Sequence, residues 1–430
     1  MKKFKLFQVL FTAICLSLFD NTQTTLLNAP GNDLSPEMKT YYEKRLIMLA
    51  EPKLVYDQFG DKYPIPRGSG KRIEMRKFDP LPKALTPLTE GVTPHGNKLN
   101  VTAITAEVQQ FGDYVEHSDM LDLTAIDRVV EQTVRLQGSQ SGRTLDTITR
   151  DVVTAGTNVI YAPKVNPSTG AETAVVQRED LDSTAKLTVK QVKFGAAVLK
   201  RQNTETFADG CYVGIVHPDA EYDLMNDPKW EEWHKYTDSE KMYAGEIGKI
   251  AGVRFVESTE AKIFGPKAIA DGYSRLHCKT AINASSTSIA IQETLAALTP
   301  DTPIPVYING VANTITKITT SGSNTTLTIG TAISSLAVGA LICGTGGGKD
   351  GTAVYGTMIV GQNAYGVTEV ESGGLQYIIK QLGSGGTTDP LNQRSTTGWK
   401  ATKTAERLVE QYMVRIEHGG EGFGTTAEAN

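Results

Sequence analysis

The chain has 430 residues, 40% hydrophobic and 21% charged, which is long enough for two or three compact modules and too apolar for a disordered protein. Its formal net charge of −5 argues against nucleic acid as the main partner, because phosphate binding needs a concentrated positive surface. Four cysteines (Cys15, Cys211, Cys278, Cys343) without a CxxC pair exclude a disulfide framework and fit a reducing compartment.

The first twenty residues place Lys2, Lys3 and Lys5 before an apolar run from Leu6 to Phe19. The run has the order of an export leader, but no small-x-small cleavage site follows, and it is too short to span a membrane comfortably. An export leader, an assembly extension and a misassigned start remain open readings. Ser35, Pro36 and Glu37 are suited to start a helix, continued by Met38, Tyr41, Tyr42, Leu46 and Leu49 at helical spacing. From Pro36 to Lys77, ten Lys/Arg face six Asp/Glu, net +4, which leaves −9 on the rest. A basic arm on an acidic body suits an arm that lies on a neighbouring copy, while charge alone favours an ordinary fluctuation in surface charge.

Residues 60–110 read as extended. Pro64, Pro66, Pro80, Pro82, Pro87 and Pro94 exclude helix through most of the stretch, while 72–78 and 99–104 alternate like strands. Two strands of about twenty residues would reach roughly 65 Å. A hairpin of that length needs outside support. Thr124 and Asp127 fit a capping box for a long helix from Ile126 to Val153, which Gly138 and Gly142 are expected to bend or interrupt.

A second helix is expected over Thr184–Gln202, a buried strand over Tyr212–Val216, a short helix over Ala220–Met225, and a turn running into a strand over Gly245–Val256. Residues 278–350 differ in kind, with six charged residues in 73 and many Thr, Ser, Ala and Gly. There Asn309-Gly310 sits between Val306–Ile308 and Val311–Ile315, a hairpin signal. An all-β insert is expected, then a return to mixed character and a last strand at Val414–Ile416.

No motif supplies a credible active site. Gly344–Lys349 lacks the first glycine and the Ser/Thr of a phosphate loop, having Cys343 and Asp350 there, and reads as a glycine linker leaving the insert. Glu116-His117-Ser118-Asp119 holds triad residue types, but adjacency gives no triad geometry, so a polar turn is expected. His277 and Cys278 lack the further ligands of a zinc site. Trp230 and Trp233, at i and i+3, read as core packing in an acidic segment. No residue is expected to be catalytic, to bind a cofactor or to ligate a metal.

Several runs carry a family resemblance: Leu34–Tyr42, Asp79–Ala84, Pro87–Pro94, Gly112–Val115 with Ser118–Leu121, Gly142–Asp146, His217–Asp219, Gly245–Val256 and Gly398–Ala401. In that order they resemble major capsid proteins of tailed bacteriophages, over about 34–277 and 350–418. The resemblance implies an α+β, Hong Kong 97-type capsid fold. Its parts would be an N-terminal arm with apolar leader (1–60), an extended loop (61–112), a peripheral domain with a spine helix (113–200 and 395–418) and an axial domain (201–277 and 351–394). Residues 278–350 would be an inserted β-rich module and 419–430 a flexible tail.

The function implied is that of a non-enzymatic subunit without cofactors, which assembles with itself into hexamers and pentamers of an icosahedral shell. That shell would enclose double-stranded DNA without sequence-specific binding and without a membrane. Portal, scaffolding or decoration proteins are further implied partners, the virion is the implied location, and assembly would occur in the host bacterial cytoplasm. A secreted β-rich surface or adhesion protein is the competing reading, favoured by the N-terminus alone, and a hydrolase would need a convergent polar pocket.

Overall fold

A computed structural model describes residues 55–64, 71–78, 101–124, 129–230, 248–322, 324–368, 375–381 and 391–420, with most of 81–100 and residues 384, 429 and 430. The apolar leader and the helix expected from Ser35 lie outside the described residues. The described part is mixed α+β with more strand than helix.

Helical turn α1 (Val55–Gln58) leads to β1 (Asp61–Tyr63), then to hairpin β2 (Arg72–Phe78) and β3 (Val101–Glu107), then to β4 (Gln109–Ser118). Helices α2 (Asp119–Thr124) and α3 (Val129–Thr154) follow, with short strands β5 (Val159–Tyr161), β6 (Lys164–Val165) and β7 (Glu172–Thr173). Next come α4 (Val189–Arg201), β8 (Tyr212–Val216), α5 (Pro218–Met225), β9 (Lys249–Ile250), β10 (Val253–Glu257) and β11 (Ile263–Phe264). Strands β12 (Arg275–His277), β13 (Ser286–Ile291), β14 (Ile304–Ile308), β15 (Val311–Ser321), β16 (Asn324–Ile333) and β17 (Leu341–Gly344) form one unit. The chain closes with β18 (Val354–Val360), β19 (Tyr365–Thr368), β20 (Leu375–Lys380), β21 (Arg394–Lys403), β22 (Ala405–Arg407) and β23 (Met413–His418).

A seven-stranded mixed sheet, β5-β23-β18-β8-β10-β9 with β11 on β18, forms the centre. One face buries Val189, Val192, Leu199, Leu224, Ile359 and Ile416 beneath α4 and α5. The other packs Val213, Met358 and Val360 against Val153 of α3 and Tyr56 of α1. Helix α4 starts at Val189, later than the expected Thr184, because Thr188 and Gln191 form a capping box there. Residues upstream are held in a turn, with Asp182 Oδ1 accepting from the Thr184 N–H at 3.0 Å.

Strands β20, β21 and β4 make a second sheet, in which ten residues of β4 pair with ten of β21 from Gln109↔Lys403 to Ser118↔Arg394. The segment 395–418 therefore divides between sheets, β21 in this one and β23 in the central one. Leu375, Trp399 and Ala401 bury against Leu145 of α3. The expected interruption at Gly138 and Gly142 is absent, since α3 is a single run of 26 residues, about 39 Å along its length. Its buried face holds Thr133, Val134, Gln137, Gly138, Ser141, Gly142, Leu145, Asp146, Thr149, Arg150, Val153 and Thr154, so both glycines lie on the packed side. The expected capping box falls partly outside the described residues, and Thr124 itself ends α2.

The insert is a closed barrel. Its six strands run β12-β17-β14-β15-β16-β13, and Lys279 N–H→Ala290 O (2.8 Å) with Gln292 N–H→His277 O (2.9 Å) join the last strand to the first. Leu276, Ile289, Val306, Ile315, Leu327 and Ile342 are among the residues that fill it. Asn309 (φ 50°) and Gly310 (φ 76°) make the expected left-handed two-residue turn. The barrel begins at Arg275, just before the expected boundary at 278.

Two expectations are corrected. Among the described residues hairpin β2–β3 pairs seven residues per strand, about 23 Å at 3.3 Å per residue, against the twenty expected. The prolines at 80, 82, 87 and 94 have no N–H to extend the ladder. The tail also begins anchored: Gly419 and Gly420 are buried and Asn430 Oδ1 accepts from the Ile263 N–H at 2.9 Å.

The two faces of α3 give a direct check. Leu145→Ala should cost about 3 kcal/mol in urea unfolding, while Leu136→Ala, at a position 69% exposed, should stay within about 0.5 kcal/mol of wild type.

Candidate assembly interface

The residue types singled out in the sequence do not converge. His117 is buried at the end of β4, with Nε2 3.3 Å from Thr397 Oγ1, and Ser118 Oγ accepts from the Leu121 N–H at the start of α2. The expected polar turn at 116–119 is thus strand running into helix, and no triad forms. His277 Nδ1 meets Glu293 Oε1 at 2.6 Å, and Cys278 is buried in the barrel. Among the described residues no group of three His, Cys, Asp or Glu side chains could hold a metal ion. Trp230 is buried edge-to-face on Phe255, with ring centroids 5.9 Å apart, while 231–236 lie outside the described residues.

The glycines at 344–348 form a packed crossing and not a slack linker. A Cβ on Gly344 would lie 1.9 Å from Lys267 O and one on Gly348 2.4 Å from Leu181 O. The Lys349 N–H donates to Leu181 O at 2.7 Å. Burial pushes the neighbouring Cys343 thiol up to about 11, which keeps it protonated and unreactive.

What the described surface offers is apolar area without cover. The base of the hairpin is anchored, because Ile73, Met75 and Ala106 bury against Leu408. Past Phe78 the chain presents Leu81, Leu85, Leu88 and Leu99, each more than half exposed. Four exposed leucines along one loop are more apolar surface than the scattered residues of an ordinary surface.

A second such surface lies on the sheet β20-β21-β4. Its inner face packs on α3, and Trp399 Nε1 donates to Gln140 Oε1 at 3.2 Å. On the outer face Tyr114 (64% exposed), Ile378 and Lys380 rim an open hollow of about 720 Å³. No described element covers it.

The body behind these surfaces is braced by buried ions. Glu417, fully buried, accepts from Arg178 Nε and Nη2 at 2.7 and 2.5 Å and from Arg415 Nε at 2.8 Å. Phe264 lies against both guanidiniums. His418 is fully enclosed: its Nδ1–H donates to Gly419 O at 2.8 Å, so Nε2 accepts from Thr357 Oγ1 at 2.9 Å. Burial pushes the His418 imidazole down to about 4. Asp146 moves the other way, with burial first and the charge of Asp57 second pushing its carboxyl up to about 7 against the Tyr56 N–H bond.

A family model described as phage capsid protein matches residues 115–381. No curated protein matches. Among solved structures, the chain is similar to the capsid of cyanophage P-SCSP1u (11% identity, 84% of this chain and 87% of that one, TM-score 0.48). It is also similar to the capsid of Ralstonia phage GP4 (10%, 82% and 84%, 0.47) and the capsid asymmetric unit of cyanophage Pam1 (13%, 83% and 87%, 0.46).

The pH dependence of stability follows from the signs of these two shifts. Between about pH 4 and 6.5 the unfolded chain protonates residue 418 and the folded chain does not, so stability is lost as pH falls. Asp146 opposes this, because its folded form stays protonated where the unfolded form ionises. His418→Asn should therefore show a stability difference from wild type that changes by about 1.4 kcal/mol per pH unit across this window, less favourable to the variant as pH rises. Urea midpoints of the isolated subunit at pH 4.5 and 6.5 measure it.

Proposed function

Because the chain belongs to the phage capsid protein family, we propose that its exposed hairpin tip and outer sheet face join copies of it into the hexamers and pentamers of an icosahedral shell. The protein is a structural, shell-forming subunit of the virion. The observation that carries the assembly reading is the uncovered run Leu81, Leu85, Leu88 and Leu99 beyond a hairpin base that is itself buried. Area of this kind is stable in water only when another surface closes over it, and obligate assemblies bury on the order of 2,000 Å² or more per interface.

The Hong Kong 97-type plan assigns roles to the described elements. Residues 113–200 and 395–418, with helix α3 and strand β21, serve as the peripheral domain, residues 201–277 and 351–394, with β8, β10 and β18, as the axial domain, and residues 61–112, with β2–β3, as the extended loop. The barrel, whose core is separate from the others, stands on the outer surface. The shell encloses double-stranded DNA by shape and not by base recognition, consistent with the net charge of −5. Assembly takes place in the host bacterial cytoplasm, with portal and scaffolding or decoration proteins as further partners. No described helix is long and apolar enough to cross a membrane. The competing secreted-protein reading rested on residues 1–20, which lie outside the described residues.

Replacing residues 79–100 by Asn-Gly tests the role of the tip without touching the buried base. The variant should fold and stay soluble yet yield no capsomers or shells by electron microscopy. Normal shells from it would refute the tip's role in assembly.

A further inference from the structure

Where α1 crosses α3 and the end of β21, a set of reactive polar groups is sealed from water. The Lys403 side chain is fully buried and its Nζ contacts Asp57 Oδ2 directly. Asp57 is 6% exposed, and its other oxygen accepts from Thr149 Oγ1 at 2.6 Å. Asp146, fully buried, uses Oδ1 to accept from the Tyr56 N–H at 2.7 Å. Its Oδ2 has no hydrogen-bond partner among the described residues. The buried rings of Tyr56 and Tyr365 enclose the site, and the Tyr365 hydroxyl donates to Tyr56 O.

An amine held against a carboxyl group, a hydroxyl on the carboxyl's other oxygen and a second carboxyl with an unused oxygen are the parts needed to form an amide. We propose that Lys403 and Asp57 condense within one chain into an isopeptide bond, with Asp146 as the proton carrier. The Lys403 ammonium first yields a proton to Asp57 Oδ2, the oxygen it contacts, and Asp146 relays the second proton within the sealed site. The freed nitrogen attacks Asp57 Cγ, a C–N bond forms, and the Thr149 hydroxyl stabilises the charge that gathers on Oδ1. The Cγ–Oδ2 bond then breaks. The ammonium gives up two protons in all, both depart on Oδ2 as water, and Asp146 ends as the carboxylate it began as. No oxidant or cofactor takes part.

The environment favours each step. A buried ion pair carries a large desolvation cost, which disappears when the two charges merge into a neutral amide. Two groups fixed in contact react as one molecule, which removes the entropic barrier of bringing them together. Burial holds the Asp146 carboxyl up to about 7, so both of its protonation states are populated near neutral pH, as a proton carrier requires. The bond would fasten the segment that leads out of the N-terminal arm to β21, so that pulling on the arm loads a covalent link. This inference does not depend on how copies assemble.

The full-length chain, taken from soluble subunits and from assembled particles, is measured by intact mass and tryptic mapping. The expected result is a chain lighter by one water, with peptides 54–62 and 401–407 joined through Asp57 and Lys403 and uncleaved at Lys403. Lys403→Met and Asp57→Ala should release both peptides separately. Asp146→Asn should fold, by near-ultraviolet circular dichroism, yet form the link about a hundredfold more slowly, and Asp146→Glu should restore it. Folded wild-type chain with its full mass and both peptides free overturns the proposal, and that measurement stands even if no variant folds. Undiminished linkage in Asp146→Asn overturns the proton-carrier role.

Discussion

The ten-residue pairing of β4 with β21 is the constraint on which the rest of the subunit depends. It joins chain segments separated by roughly 280 residues, and closing so long a loop has an entropic cost that local propensity cannot offset. The compensation comes from one face, where Trp399, Ala401 and Leu375 bury against Leu145 of α3. The other face follows as a consequence. Once α3 occupies the inner side, Tyr114 and Ile378 point outward with nothing in the described chain to meet them. The hairpin is fixed by the same pairing, because β3 runs directly into β4. Its base must lie beside Leu408.

Two kinds of interior hold this frame. Around the central sheet the packing is apolar, with Val213, Ile215, Met358, Ile359 and Val414 filling both faces. Along α3 and at the C-terminal end of β23 it is ionic, through Asp57 with Lys403 and through Glu417 with two arginines. Apolar replacements of such groups are often no less stable, so their benefit lies in fixing one arrangement over others. The bidentate Arg178–Glu417 contact has that character: it sets the angle at which the segment bearing Arg178 sits on β23. A subunit that must fit identical neighbours gains more from a single geometry than from added stability.

Local signals read correctly from the sequence wherever chemistry and neighbours agree. Asn309-Gly310 specifies its turn through the left-handed conformation both residues adopt, and Tyr212–Val216 is buried on every side, as its unbroken apolar run requires. The errors have one physical origin. Gly138 and Gly142 looked like breaks because helical propensity counts backbone freedom, whereas here they lie on the packed face of an unbroken helix. The strands of the hairpin looked long because alternation says nothing about whether a partner N–H exists opposite. Closure of the insert into a barrel rests on the bonds between 277–279 and 290–292, which no window on the chain contains. At the candidate interface the prolines gave away the loop, but the burial of its base depends on Leu408, over three hundred residues away. The Asp57–Lys403–Asp146 cluster left no signal at all, since its members share no spacing.

The insert shows why a shell subunit can carry a foreign module without losing its frame. Strands β12 and β17, through which the chain enters and leaves the barrel, are hydrogen-bonded neighbours from Arg275↔Cys343 to His277↔Leu341. The surrounding fold therefore needs only to hold two adjacent chain segments, which a tight turn would also satisfy. The barrel fills its own interior with Ile289, Ile308, Ile318 and Leu327 and borrows little from the frame. The junction is guarded on the frame's side: Arg275 donates to Gly351 O at 2.6 Å, and the buried glycines at 347 and 348 leave no slack between Leu181 and Thr352. A slack junction would let the module swing into neighbouring copies. A tight one fixes its direction and leaves the β4–β21 pairing undisturbed.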